Sequence, residues 1–205
     1  MRSFFCFFVF SFCLSGYCSL DEYILENNLV ITEGHIGKLC HRTFFKDLFE
    51  KNPWIEFVAE TGFNAGHSAE IFLLAKPQTF VTSFDIGHHD YVQKGYEYLQ
   101  KTFPGRLELV LGDSKESVPW YASQHPGKTF DLIFIDGGHD IETAFFDIIN
   151  MKACAHEKTL LVLDDLNISP AIAWNTAIKR GIIKELETFA PPDSPKWGLA
   201  KYIFQ

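Results

Sequence analysis

Glu60-Thr61-Gly62-Phe63-Asn64-Ala65-Gly66-His67-Ser68 is the stretch on which the reading of the fold turns. It follows the apolar run Phe57-Val58-Ala59 and leads into a helical stretch over residues 67–75. Glycines at 62 and 66 permit a tight strand-to-helix turn and close approach of a ligand to the backbone. The spacing is GxxxG rather than the GxGxxG of dinucleotide-binding turns, and position 64 is Asn. A turn of this kind also occurs with no ligand, so the residues around it decide its use.

Outward from the turn, short apolar runs alternate with amphipathic stretches. Phe80-Val81-Thr82-Ser83-Phe84, Leu107 to Leu111, Leu132 to Ile135 and Leu160 to Leu163 read as further strands. Several are apolar throughout, as expected of parallel strands covered by helices on both faces. Residues 90–102, 114–124, 141–152 and 170–180 read as the intervening helices. Ile141, Ala144, Phe145, Ile148 and Ile149 fall on one helical face. Ser169 and Pro170 start the last helix and Gly181 closes it. Residues 36–50 predict an extra helix ahead of the first strand. In the tail, Ile182 to Leu186 and Leu199 to Phe204 are joined by a proline-rich loop without a helix, a connection that requires antiparallel pairing. The fold class is therefore α/β: a doubly wound, mostly parallel, Rossmann-like sheet with an antiparallel C-terminal strand.

In such a sheet ligands bind outside the carboxyl ends of the strands. Polar clusters follow one strand after another: Asp85, then Gly112-Asp113-Ser114, then Asp136-Gly137-Gly138-His139, then Asp164-Asp165. Any one of these acids alone reads as a solvated loop residue. Together with Glu60 they converge on one rim.

From about residue 55 onward the chain resembles a class I S-adenosylmethionine-dependent methyltransferase, of the branch with macrocin- and catechol-type O-methyltransferases acting on sugars and other small molecules. The residues that carry the resemblance run from Glu60 to Ala69, with Gly112-Asp113-Ser114, Phe130 to His139, and Leu163-Asp164-Asp165. Thr61 departs from it, standing where the family usually has an aliphatic residue. The resemblance implies that Glu60, Gly62, Asn64 and Ser68, with Gly66 in the same turn, cradle the methionine part of the cofactor. It implies that Asp85 binds the ribose, and Asp113 with Ser114 the adenine. A carboxylate-rich rim suits a positively charged sulfonium, whereas a pyrophosphate favours backbone N–H groups with few acids nearby. It further implies a divalent ion, Mg²⁺ by ligand chemistry, held by Asp136, Asp164 and Asp165, with Asp136 and His139 catalytic. His139 is a general base or a hydrogen-bonding support. The alternative for Asp164 or Asp165 is simply to cap the following loop.

Three functions compete on this evidence. The first is O-methylation of a hydroxylated small molecule, the second an NAD-dependent oxidoreductase, the third a non-catalytic cofactor-binding module. The glycine spacing, the acidic rim and the antiparallel tail disfavour the second. Helix 36–50, His88-His89 and the 190–197 loop with Trp197 are candidates for the acceptor pocket; ordinary packing is the alternative for each.

At 205 residues, 47% hydrophobic and 21% charged, the chain has the composition of one globular domain. A net charge of −8 without a Lys/Arg run disfavours nucleic acid as a partner. Residues 1–18 stand apart from the domain at 19–205. Arg2, the apolar run Phe4 to Leu14, and small residues at Gly16 and Cys18 fit an export or membrane-targeting signal cleaved after Cys18. The run is short for a membrane span, which needs about 20 residues. A hydrophobic helix packed on a cytoplasmic protein is the other reading. Cys40 and Cys154, far apart and in no CxxC pair, predict buried thiols rather than a disulfide framework.

Overall fold

A computed structural model describes residues 18–34, 39–167, 169–192 and 194–204. The predicted signal segment thus lies almost wholly outside the described residues, as do positions 36–38 of the predicted first helix.

Two helices, α1 (Leu20–Glu26) and α2 (Leu39–Lys51), precede the sheet. Strand and helix then alternate: β1 (Phe57–Thr61), α3 (His67–Ala75), β2 (Phe80–Asp85), α4 (Asp90–Thr102), β3 (Leu107–Leu111), α5 (Ser114–Gln124), β4 (Phe130–Ile135), α6 (Ile141–Met151), β5 (Ala155–Leu163) and α7 (Ser169–Lys179). The antiparallel pair β6 (Ile183–Phe189) and β7 (Trp197–Tyr202) ends the chain. Among the described residues the sheet has seven strands in the order β3-β2-β1-β4-β5-β7-β6. The first five pair in parallel, and β7 inserts antiparallel between β5 and β6.

The apolar strands are buried on both faces, as their composition requires. On one side Val58, Phe134 and Val162 pack with Phe45 of α2, Phe72 of α3 and Leu99 of α4. On the other, Ala59, Ile133 and Leu161 pack with Tyr121 of α5, Ile148 of α6 and Trp174 of α7. The strand order reverses between β1 and β4, which opens the crevice at their carboxyl ends where such sheets take ligands.

Element boundaries differ from the sequence reading mainly at the sheet margin. Strand β5 begins at Ala155 because Phe130 supplies it with a ladder partner, a pairing invisible to local hydropathy. Helix α1 went unread. A capping box holds it, with the Ser19 side chain accepting from Glu22 N and Glu22 accepting from Ser19 N at 2.7 Å. Leu20 is fully buried, and its N–H donates to the buried Glu70 carboxylate at 2.6 Å. Cys154 is a buried free thiol as expected, whereas Cys40 is only half-buried. The exposed side of α2 leaves it open.

Candidate active site

The turn after β1 is built from three left-handed residues, Gly62 (φ 88°), Asn64 (φ 53°) and Gly66 (φ 102°). A Cβ at Gly62 would lie 2.0 Å from the carbonyl oxygen of Asp136. The close approach that demands glycine is therefore first between two strand-end loops. At Gly66 a Cβ would meet Leu99 at 2.7 Å and Phe63 at 2.8 Å, so this glycine serves helix packing. Asn64 tolerates its conformation as Asn commonly does. Its amide N–H donates to Asp85 Oδ2 at 2.8 Å, and its side-chain Nδ2 donates to Gly34 O at 2.7 Å.

These loops enclose a cavity of about 1070 Å³ at the β1/β4 reversal. Of the expected cofactor residues, Gly62, Asn64, Ser68, Asp85, Asp113 and Ser114 line it. Asp85 ends β2 with both carboxylate oxygens occupied from one side, by Asn64 N and by Gly87 N, each at 2.8 Å. Asp113 caps α5 through Lys115 N at 2.9 Å. Glu60 and Gly66 lie behind the wall. Glu60 is fully buried, accepts from Ser83 Oγ at 2.6 Å, and is pushed up to about 8 by desolvation against the lowering hydroxyls of Ser68 and Ser83.

A second buried acid escaped the sequence reading. Asp147 shares the buried face of α6 with Ala144 and Met151 and lies under the Gly137 loop. Burial raises it to about 6, opposed by the hydroxyls of Ser114 and Thr61. Thr61, the departure from the family pattern, puts its hydroxyl near this carboxylate, where it opposes the rise. An acid at helical spacing from Ala144 was the signal available.

At the far end of the cavity, ligand atoms of Asp136, His139 and Asp165 lie within 4.8 Å of one another, a donor set fit for a cation among the described residues. His139 Nε2 is 3.2 Å from Asp165 Oδ2 and 3.9 Å from Asp136 Oδ1. Desolvation pushes Asp136 up to about 7, helped by the charges of Asp164 and Asp165 and resisted by His139. The Asp136 carboxylate beside it, with the charges of Asp165 and Asp164, raises His139 to about 8 against its own desolvation. Asp164 is arranged differently from its two expected partners. It is buried, its Oδ1 accepts from Asp165 N at 2.8 Å, and its Oδ2 faces His41 Nε2 at 3.4 Å. Asp136 and Asp165 thus fall together with His139, while Asp164 turns toward α2.

Residues from all three predicted acceptor elements line the cavity, but Trp197 does not. His41, His88, His89, Ser194 and Pro195 line the cavity. His41 was not singled out in the sequence; it is buried and its ring lies 4.5 Å from that of Trp197. His89 stacks on Tyr91 at 4.7 Å and reaches Glu33 Oε1 at 3.1 Å.

Residues 59–166, more than half of the chain, match the model of a family described as methyltransferase domain. No curated protein sequence matches the chain. Among solved structures, an O-methyltransferase from Bacillus cereus in complex with SAH is 14% identical, with a TM-score of 0.71 over 93% of this chain and 94% of that one. Cofactor-bound Rv0187 from MTB is 19% identical, with a TM-score of 0.68 over 93% and 92%. CalS11, a TDP-rhamnose 3'-O-methyltransferase of calicheamicin biosynthesis, is 17% identical, with a TM-score of 0.63 over 90% and 96%. Likenesses at this identity speak for the fold, and the family match for the lineage. This chain belongs to the methyltransferase-domain family and has the class I S-adenosylmethionine-dependent methyltransferase fold.

Proposed function

We propose that the protein transfers a methyl group from S-adenosylmethionine to a hydroxyl of a small molecule, with a divalent cation assisting at the acceptor side. The observation that carries this reading is the placement of Asp85. Its carboxylate is fixed by two backbone amides at the mouth of the turn, beside a cavity whose rim is acidic. A carboxylate so held accepts hydrogen bonds from ribose hydroxyls. Asp113 and Ser114 flank the adenine end, while Asn64 and Ser68, backed by Glu60, face the methionine end. When bound, the cofactor supplies an electrophilic methyl carbon next to a cationic sulfur, and that charge favours the acidic lining. The protein's own contribution is alignment, which in well-oriented systems is worth up to about 7–11 kcal/mol. Asp136, Asp165 and His139 would hold the ion, whose charge lowers the pKa of a hydroxyl beside it. The two carboxylates are donors that suit Mg²⁺ or Mn²⁺, whereas the imidazole of His139 is a donor better suited to Zn²⁺ or Fe²⁺. The acidic chain speaks against a nucleic-acid acceptor, and no helix among the described residues is long and apolar enough to cross a membrane.

Calorimetric titration with S-adenosylhomocysteine and, separately, with NAD tests the reading. Binding of the former alone is expected, followed by labelled methyl transfer to hydroxylated metabolites. Binding of NAD alone would return the oxidoreductase.

We also propose that residues 1–18 act as an export or targeting signal. The capping of α1 by Ser19 supports this, because the helix can start at the position that cleavage would leave first. N-terminal sequencing of protein from its native host should begin at or next to Ser19. An intact Met1 on soluble cytosolic protein would remove the proposal.

A further inference from the structure

Beside the acceptor end of the active cavity, an apolar groove of about 1220 Å³ runs between α2 and the β6–β7 connection. Its walls include Leu39, Phe44 and Leu48 on one side and Phe189, Pro192 and Trp197 on the other. The aromatic floor is already packed: Phe44 meets Phe189 edge-on at 4.8 Å and Trp197 at 5.5 Å, and Phe189 stacks on Trp197 at 5.7 Å. Leu39 is 80% exposed. A concave apolar surface of this size is uncommon without an occupant.

The groove and the active cavity are built from the same two elements. Cys40 lines the groove and His41, the next residue, lines the cavity. Pro191 and Pro192 line the groove, while Ser194 and Pro195 of the same connection line the cavity. Where they adjoin, His41 of the cavity is in ring contact with Trp197 of the groove. That pair carries two buried polar atoms without a hydrogen bond, His41 Nε2 and Trp197 Nε1. His41 Nε2 lies 3.4 Å from Asp164 Oδ2, but not in hydrogen-bonding geometry. Buried ring nitrogens ordinarily find partners, and these two lie where the cavity and the groove adjoin.

The active cavity and the groove also differ in chemistry. The acceptor end of the cavity holds Asp136, Asp164 and Asp165 and would reject an apolar chain, whereas the groove carries aromatic and aliphatic side chains with Asp47, Lys51 and Glu187 also on its walls. We propose that the groove receives the apolar tail of the methyl acceptor. The substrate class is then a hydroxylated headgroup, seated at the acidic end of the cavity, carrying an alkyl or aryl chain. This inference rests on the reading of the cavity as the methyl-transfer site.

The test uses n-alkyl esters of 3,4-dihydroxybenzoate, from ethyl to octyl, titrated calorimetrically into full-length protein saturated with S-adenosylhomocysteine and Mg²⁺. Affinity should rise roughly fourfold for each methylene that enters the groove. Leu39→Asp, on an exposed side chain, should flatten that dependence and leave S-adenosylhomocysteine binding unchanged. Phe44→Ala should flatten it independently. An affinity that ignores chain length, or the same length dependence in both variants, overturns the proposal. So does a dimer that Leu39→Asp dissociates with no effect of the tail, since a second copy would then fill the groove. Loss of S-adenosylhomocysteine binding in the unaltered protein is a different result: it refutes the methyl-transfer reading.

Discussion

The backbone N–H of Asn64 donates to Asp85 Oδ2 at 2.8 Å, joining the turn after β1 to the end of β2 across the mouth of the cavity. Asp85 therefore holds the turn in place as well as presenting a carboxylate to a ligand. A left-handed Asn at this position is what brings the amide around to face it.

Replacing Asp85 by Ala should weaken S-adenosylhomocysteine binding by roughly ten- to a hundredfold, the worth of one charge-assisted hydrogen bond. Calorimetry on a variant shown to be folded by circular dichroism gives the answer. Unchanged affinity would take Asp85 out of the site.

Gly62→Ala should be far more damaging than Gly105→Ala, though both glycines have positive φ. At Gly105 a Cβ meets nothing within 4 Å, so only backbone strain remains, about 1–2 kcal/mol. At Gly62 a Cβ lies 2.0 Å from a backbone oxygen that cannot move without disturbing Asp136. Urea unfolding should show at least ~2 kcal/mol more loss at Gly62 than at Gly105. Equal losses would mean that the two loops do not pack as described.

Glu60 gives the ligand-free protein a pH dependence of definite sign. Desolvation raises it from an ordinary 4.5 to about 8, so the folded state binds this proton more tightly than the unfolded chain. Its contribution to stability is complete below about 4.5 and is lost as pH rises toward 8. The slope within that window is about 1.4 kcal/mol per pH unit. Asp147, raised to about 6, and Asp136, raised to about 7, act in the same direction. Unfolding at pH 5.5 and pH 8 should show a loss of stability that Glu60→Gln makes smaller. An identical loss in the variant would show that Glu60 is ionised throughout.

For the cation, Mn²⁺ binding followed by electron paramagnetic resonance should weaken at least tenfold in Asp136→Asn and in Asp165→Asn. Asp164→Asn should matter less, because that carboxylate faces His41. Full methyl transfer in EDTA, once an acceptor is in hand, would show that the reaction needs no metal.

How much of this was legible beforehand follows from the range of each interaction. Runs such as Leu132 to Ile135, apolar at every position, already require a strand covered on both faces. Asp85 and Asp136 directly follow predicted strands, so their place on one rim comes with the alternation of strand and helix. The helix-free link between the last two strands likewise implied their antiparallel pairing. These are local patterns, and local backbone geometry is enough to interpret them.

Tertiary structure alone decided which side chains meet. That β7 lies between β5 and β6 depends on ladder pairing, to which hydropathy is blind. Asp164 and Asp165 are neighbours in sequence, yet one faces His41 of α2 and the other His139, because the left-handed backbone at Asp165 (φ 53°) breaks the strand there. The meeting of Thr61 with the buried Asp147, and of His41 with Trp197, likewise arises only when helices dock on the sheet. The amino-acid pattern determined the sheet and the acidic rim, since hydrophobic burial and turn geometry act along the chain. Partner choice among the acids was left to packing, where desolvation and charge depend on segments brought together from distant parts of it.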